Sequence, residues 1–311
     1  MTRRQTPAPV RARLAALLTA AALSVVAGCA PPPLEGVDGD LADGWAGFDT
    51  PTVFVPANYV CHRSEAVSGS AQRYEPVDCD RLHRAETVHV GTFTGADAEL
   101  TIVPAPATPT RVSARAECGT RSAEFLGQSL QHGRLTLRVV VPTQQAWNAG
   151  ARWFRCDLAE ISSVFLGQVV PRTGSLRGAL TGESPLALGC HEPIWNINDY
   201  LAAIDPVACS EPHYSEFVGA YAESDAFDYD DFNVEDDTVH ERCLQLIARY
   251  AALPVDDDLA NRVGTLYFEP SRQEWVDGDR QVRCFLYLWD SHPPLTRSAR
   301  NGGPDLLPVV S

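Results

Sequence analysis

The stretch PSRQEWVDGDRQVRC, Pro270 to Cys284, aligns without a gap onto PTQQAWNAGARWFRC, Pro142 to Cys156. The shared pattern is P-x4-W-x2-G-x-R-x3-C. Identities held at fixed spacing over fifteen positions indicate one structural unit written twice. The cysteines carry the same message. Beyond Cys29 there are eight, in two sets: Cys61, Cys79, Cys118 and Cys156, then Cys190, Cys209, Cys243 and Cys284. The intervals are 18, 39 and 38 in the first set and 19, 34 and 41 in the second. Each set opens on Cys-His, His62 in one and His191 in the other. After the second cysteine both copies read C-x3-H-x2-E, as His83 with Glu86 and His213 with Glu216, followed by Gly91 or Gly219.

Working outward, TVHERCLQLIARYAAL places Val239, Cys243, Leu246, Ile247 and Tyr250 on one face, so the segment reads as an amphipathic helix. The first copy repeats this more weakly, with Ala114, Cys118 and Phe125, and Gly127 as a stop. A β-like run follows in each copy, RLTLRVVVP or TLYFEP, ended by Pro142 or Pro270 because proline cannot donate to a sheet ladder. A polar turn, DGD in the second copy, favours a hairpin and a returning strand. The expected fold class is α+β: two tandem homologous disulfide-stapled domains, each a small antiparallel sheet with one packed helix. Four cysteines allow three pairings per copy. First with second and third with fourth is favoured, since the third lies on the helix and the fourth on a strand of the adjoining hairpin.

The N-terminus is read separately. Arg3, Arg4, Arg11 and Arg13 precede an apolar run, Leu14 to Gly28, too short for a comfortable membrane span and suited to a secretory leader. It ends in VAGC, which looks like a bacterial lipobox with Cys29 as the lipidation site. The expected organisation is a lipoprotein signal peptide over 1–28, a flexible tether over 29–55, domain copies over 56–182 and 183–302, and a tail over 303–311. Export to an oxidising compartment permits disulfides. The expected location is the extracytoplasmic face of the cell membrane, lipid-anchored. The formal charge of −15 becomes −19 once four leader arginines are removed. That disfavours nucleic acid and anionic surfaces as partners.

On VACSEPHYSEFVGAY, residues 207–221, and EWVDGDRQVRC, residues 274–284, the chain resembles the septum formation family of actinobacterial secreted and membrane-anchored proteins. The first copy matches more loosely, through VDCDRLHRAETVHVG and AWNAGARWFRC. It departs at Asp80-Arg81-Leu82, where the second copy has Ser210-Glu211-Pro212. The resemblance implies a role near the dividing septum, with envelope or division proteins as partners. It implies no established reaction and no catalytic residues.

The residues themselves offer little catalysis. An H-x2-E pair has the groups for proton transfer or for two metal ligands, but neither copy has the zincin arrangement. His83, Glu86, His213 and Glu216 are therefore candidate contacts with a structural default. Arg152 and Arg280 are candidate contacts for a carboxylate, with an ion pair to the repeated glutamate as the plainer role. Trp147 and Trp275 are read as core or rim residues, with sugar stacking as the sharper alternative. The acidic run at 222–237 reads as a solvated loop; it lacks the EF-hand ligand spacing. No cofactor and no metal is expected. The leading expectation is a non-catalytic binding or scaffold lipoprotein. The alternative is an envelope hydrolase or metal-dependent enzyme using the repeated His and Glu. A solute-binding protein would require one large cleft between the copies.

Overall fold

The computed structural model describes residues 52–65, 69–233, 236–289 and 291–310. The proposed leader, Cys29 and most of the tether lie outside them. The strands are β1 (Val60–His62), β2 (Pro76–Val77), β3 (Ala85–Thr92), β4 (Leu135–Val140), β5 (Trp153–Glu160), β6 (Cys190–Trp195), β7 (Leu201–Val207), β8 (Ser215–Ala222), β9 (Gly264–Phe268) and β10 (Gln281–Tyr287). The helices are α1 (Pro109–Leu126), α2 (Gln144–Asn148), α3 (Asp236–Ala251), α4 (Leu259–Arg262), α5 (Arg272–Val276) and α6 (Gly303–Leu306). Two antiparallel sheets result, ordered β2-β1-β3-β5-β4 and β7-β6-β8-β10-β9. Position for position these are the same order, so the α+β architecture is built twice.

Each sheet carries one long helix. Thr108 caps α1 by accepting from the Arg111 N–H, Pro109 sits in its first turn, and Gly127 ends it at φ 86°. On α3, Val239, Cys243, Ile247 and Ala251 are buried at four-residue steps, which turns one stripe onto the sheet. Disulfides join Cys61 to Cys79, Cys118 to Cys156, Cys190 to Cys209 and Cys243 to Cys284. The second and fourth bridges tie each long helix to the strand beneath it.

Three details depart from the sequence reading. The connection after Pro142 or Pro270 is not a tight hairpin. It is a helical turn, α2 or α5, capped by Thr143 or by a full capping box of Ser271 and Glu274. Gly150 and Gly278 then reverse the chain at φ 100° and 99°, a left-handed conformation that favours glycine. Second, Gly91 and Gly219 are not equivalent. Gly91 opposes Phe154, whose ring fills the space a Cβ would need, whereas Gly219 opposes Cys284 at a bulge. Third, the segment read as a tail packs: Leu307 is buried in the second core beside Ile247 and Leu286.

Candidate functional site

The repeated His–Glu pairs are inside the protein. His83, Glu86, His213 and Glu216 are each at most 2% exposed. His83 Nδ1 lies 2.7 Å from the Arg81 carbonyl, and His213 Nδ1 lies 2.7 Å from that of Glu211. The backbones of these histidines pair with Arg172 and Leu295. Glu86 accepts from the Ser175 hydroxyl at 2.6 Å and from the Leu176 N–H at 2.6 Å. Glu216 accepts from the Ser298 hydroxyl, the Tyr250 hydroxyl and, at 2.7 Å, the Ala299 N–H. Burial and the bond to Glu216 push the Tyr250 hydroxyl up to about 12. Each glutamate thus fastens the segment that leaves the last strand of its own copy. The two cysteine–glutamate clusters, Cys61, Cys79 and Glu86 with Cys190, Cys209 and Glu216, have both sulfurs in a disulfide, so they offer no thiolate to a metal.

Arg152 and Arg280 do not pair with these glutamates. Arg152 lies over the Trp147 ring at 4.2 Å and donates to the Trp147 carbonyl at 2.7 Å. Arg280 lies over Trp275 at 4.1 Å and donates to its carbonyl at 2.6 Å. The plainer role expected for these arginines is therefore corrected: an indole and a carbonyl five residues away replace the glutamate. Both tryptophans are buried, at 1% and 5% exposure, which removes their rings from sugar stacking. The acidic run is not simply solvated either. Phe227, Tyr229 and Phe232 pack on Trp275 with centroids 6.2, 6.0 and 5.3 Å away. Asp225, Asp228 and Asp230 are exposed, whereas Glu223 is buried and pairs with Arg242.

The opening stretch acquires its role from what it touches. β4 is an edge strand, and the outward carbonyls of Leu135, Leu137 and Val139 are met by Arg283, Arg115 and Arg111. This guards an edge that would otherwise invite pairing. Arg111 and Arg115 belong to α1 of the first copy, and their charges are answered from the second. Asp279 pairs with Arg115, and Asp277 stands 3.8 Å from Arg111. Thr136 donates to Glu274 at 2.8 Å, and the Ala107 N–H donates to the Val276 carbonyl at 3.0 Å. Burial opposes charge on Glu274, but hydrogen bonds from Thr136 and Ser271 hold its carboxyl below the usual carboxylate range. A Cβ on Gly278 would stand 3.0 Å from Val112 on α1. The loop 271–280 is therefore a plug, seated in a socket formed by α1 and β4.

Within the sheets the copies differ. His62, Thr87, Asp157 and Arg155 form a buried polar chain on the first sheet. His62 Nε2 lies 2.7 Å from the Thr87 hydroxyl, which donates to Asp157 at 2.7 Å, and Arg155 pairs with Asp157 at 3.0 Å. Burial, with Arg155 nearby, pulls the His62 ring down to about 4. The second sheet has Phe217 and Phe285 where the first has Thr87 and Asp157, and His191 packs on Phe285 with centroids 5.4 Å apart. That apolar face lies against Leu188 and Val164, so it forms the seam between the copies.

Beside the plug a cleft of about 850 Å³ opens between the copies, within the ordinary range for a ligand site. Its walls include Arg138 from β4, Phe165 and Leu166 from the segment that follows β5, and Tyr267, Glu269 and Gln273 from the second copy. Phe165 and Leu166 are 38% and 53% exposed at its mouth. Arg111 Nε and Asp277 Oδ1 are buried in its lining without a hydrogen-bond partner.

Sequence reasoning missed the serines that hold the glutamates. The signal was present as S-x-R, with Ser175 and Arg177 in one copy and Ser298 and Arg300 in the other, both arginines capping the helix aromatic Phe125 or Tyr250. It also missed Arg111 and Arg115, whose charge partners Asp277 and Asp279 lie more than 160 residues away.

A family model described as septum formation matches residues 60–284 in one run through both sheets. No curated protein and no solved structure matches the chain.

Proposed function

The chain belongs to the septum formation family, and on that premise we propose that it is a non-catalytic binding module of the cell envelope, held near the division septum by a lipid on Cys29, with the cleft between its copies as the ligand site. The cleft carries the reading. It is large enough for a ligand or a partner's side chains, and it places aromatic and aliphatic surface beside Arg138, Glu269 and Gln273. The repeated His and Glu support a non-catalytic role: their side chains are buried, and the glutamate oxygens are committed to Ser175, Leu176, Ser298 and Ala299. Among the described residues no helix is long and apolar enough to cross a membrane; attachment through a lipid on Cys29 is part of the proposal.

The test is localisation in dividing cells. A fluorescent fusion carrying Phe165→Asp and Leu166→Asp should leave the septum while its melting temperature stays within about 2 °C of the parent, because both side chains are partly solvent-exposed. Septal retention of that variant would overturn the cleft as the site. Cys29→Ala should release the fusion from membranes.

A further inference from the structure

The duplication supplies its own control for what a socket is. In the first copy, Arg111 and Arg115 on α1, together with the outer edge of β4, receive a charged loop. The structurally matching positions in the second copy are Asp236 and His240 on α3, because Cys118 and Cys243 are equivalent, and Thr265 and Tyr267 on β9, because Cys156 and Cys284 oppose Val139 and Tyr267. Val112, against which the plug glycine rests, becomes Asp237. The same surface is therefore present twice with its charge inverted. In the first copy it is filled. In the second, no segment among the described residues bonds to the outer carbonyls of Thr265 and Tyr267.

The inversion matches the overall charge of the two halves. Residues 56–182 hold 13 arginines against 11 acids, and residues 183–302 hold 8 against 23. Asp236 remains 53% exposed although it bonds to His240 and Tyr267. No arginine from α3 reaches over β9 as Arg111 and Arg115 reach over β4. His240 bonds the Thr265 hydroxyl and Phe232 stacks on Tyr267. These side-chain contacts leave the strand's outer carbonyls without a hydrogen bond among the described residues, so the backbone of this edge keeps its capacity to pair.

We propose that the α3–β9 edge of the second copy is a docking surface for a basic loop or extended segment of another polypeptide, which presents arginine or lysine to Asp236 and Asp237. A second copy of this chain does not fit. The matching loop of the first copy, Thr143 to Ala151, contains no ionisable side chain, and the mature chains repel one another through their shared negative charge. Complementary charge at such a surface sets orientation and on-rate, so the interaction weakens with salt. The surface meets the cleft at Tyr267, but Asp236 and Asp237 do not line the cleft. Its test is thus separate from that of the cleft.

The probe is a fluorescent peptide of residues 270–284 carrying Glu274→Arg, Asp277→Arg, Asp279→Arg and Cys284→Ser, titrated with the full chain by anisotropy. It should bind, and binding should fall at least tenfold in the Asp236→Asn, Asp237→Asn protein and between about 50 and 500 mM salt. Asp237→Arg alone, which leaves the Tyr267 contact intact, should weaken it similarly. The unsubstituted acidic peptide should not bind. Absence of binding, equal binding of a scrambled arginine peptide, or indifference to Asp237→Arg overturns the proposal. So does concentration-dependent self-association that these substitutions abolish, since the occupant would then be a second copy.

Discussion

The seating of the plug makes a quantitative prediction. Arg115 and Asp279 are paired with side chains only 7% and 11% exposed, so Asp279→Ala leaves a buried cation without its partner. Breaking such a pair costs about 3–5 kcal/mol. Arg115→Leu leaves Asp279 unpaired and also removes the donor to the Leu137 carbonyl, for a cost in the same range. In the double variant no unpaired charge remains, and the loss is chiefly an unmet carbonyl, about 1–3 kcal/mol. The two single losses should therefore exceed the double loss by about 3 kcal/mol or more, measured by urea unfolding at low salt and analysed as a double-mutant cycle. The double variant should also unfold less cooperatively, as the copies lose their latch. Single variants costing under 1 kcal/mol, or strictly additive losses, would refute the plug-and-socket account.

Three further outcomes follow from the same structure. His62 and His191 are held near 4 by burial, against about 6.5 in an unfolded chain. The folded state thus excludes a proton that the unfolded chain takes up, so stability is full above about pH 6.5 and is lost as pH falls toward 4, by about 3 kcal/mol per histidine; urea midpoints at pH 7 and 4.5 check this, and His62→Gln should flatten the profile. Glu216→Gln places an amide against three donors and should cost about 2–3 kcal/mol, read as a lowered melting temperature with normal septal localisation at a permissive temperature. Removing the Cys118–Cys156 bridge as a double serine variant opens a loop of 38 residues and should cost about 4 kcal/mol by chain entropy, measured as a shift in urea midpoint.

What could be read from the chain depended on how locally it was encoded. The cysteine register, the helix around Cys243 and the strand stops at Pro142 and Pro270 are contiguous signals, and each predicts its element. The short helices α2 and α5 were also written locally, as T-x-x-A and S-x-x-E, but a polar stretch with Gly278 and flanking aspartates reads equally well as a hairpin. The glutamate anchors were obscured because Ser175 follows its cysteine by 19 residues and Ser298 by only 14. The most informative contrast was visible yet mute. Glu274, Asp277 and Asp279 stand where the first copy has Ala146, Ala149 and Ala151, but only the fold brings Arg111 and Arg115 to them.

The central claim, that the cleft between the copies engages a partner at the septum, is tested most directly by photo-crosslinking in dividing cells. A photoreactive residue at Gln273, in the cleft wall, should yield a discrete adduct in the envelope fraction, and the same group at Arg121, on the exposed face of α1, should yield none. No adduct from 273, or the same adduct from both positions, would contradict the account.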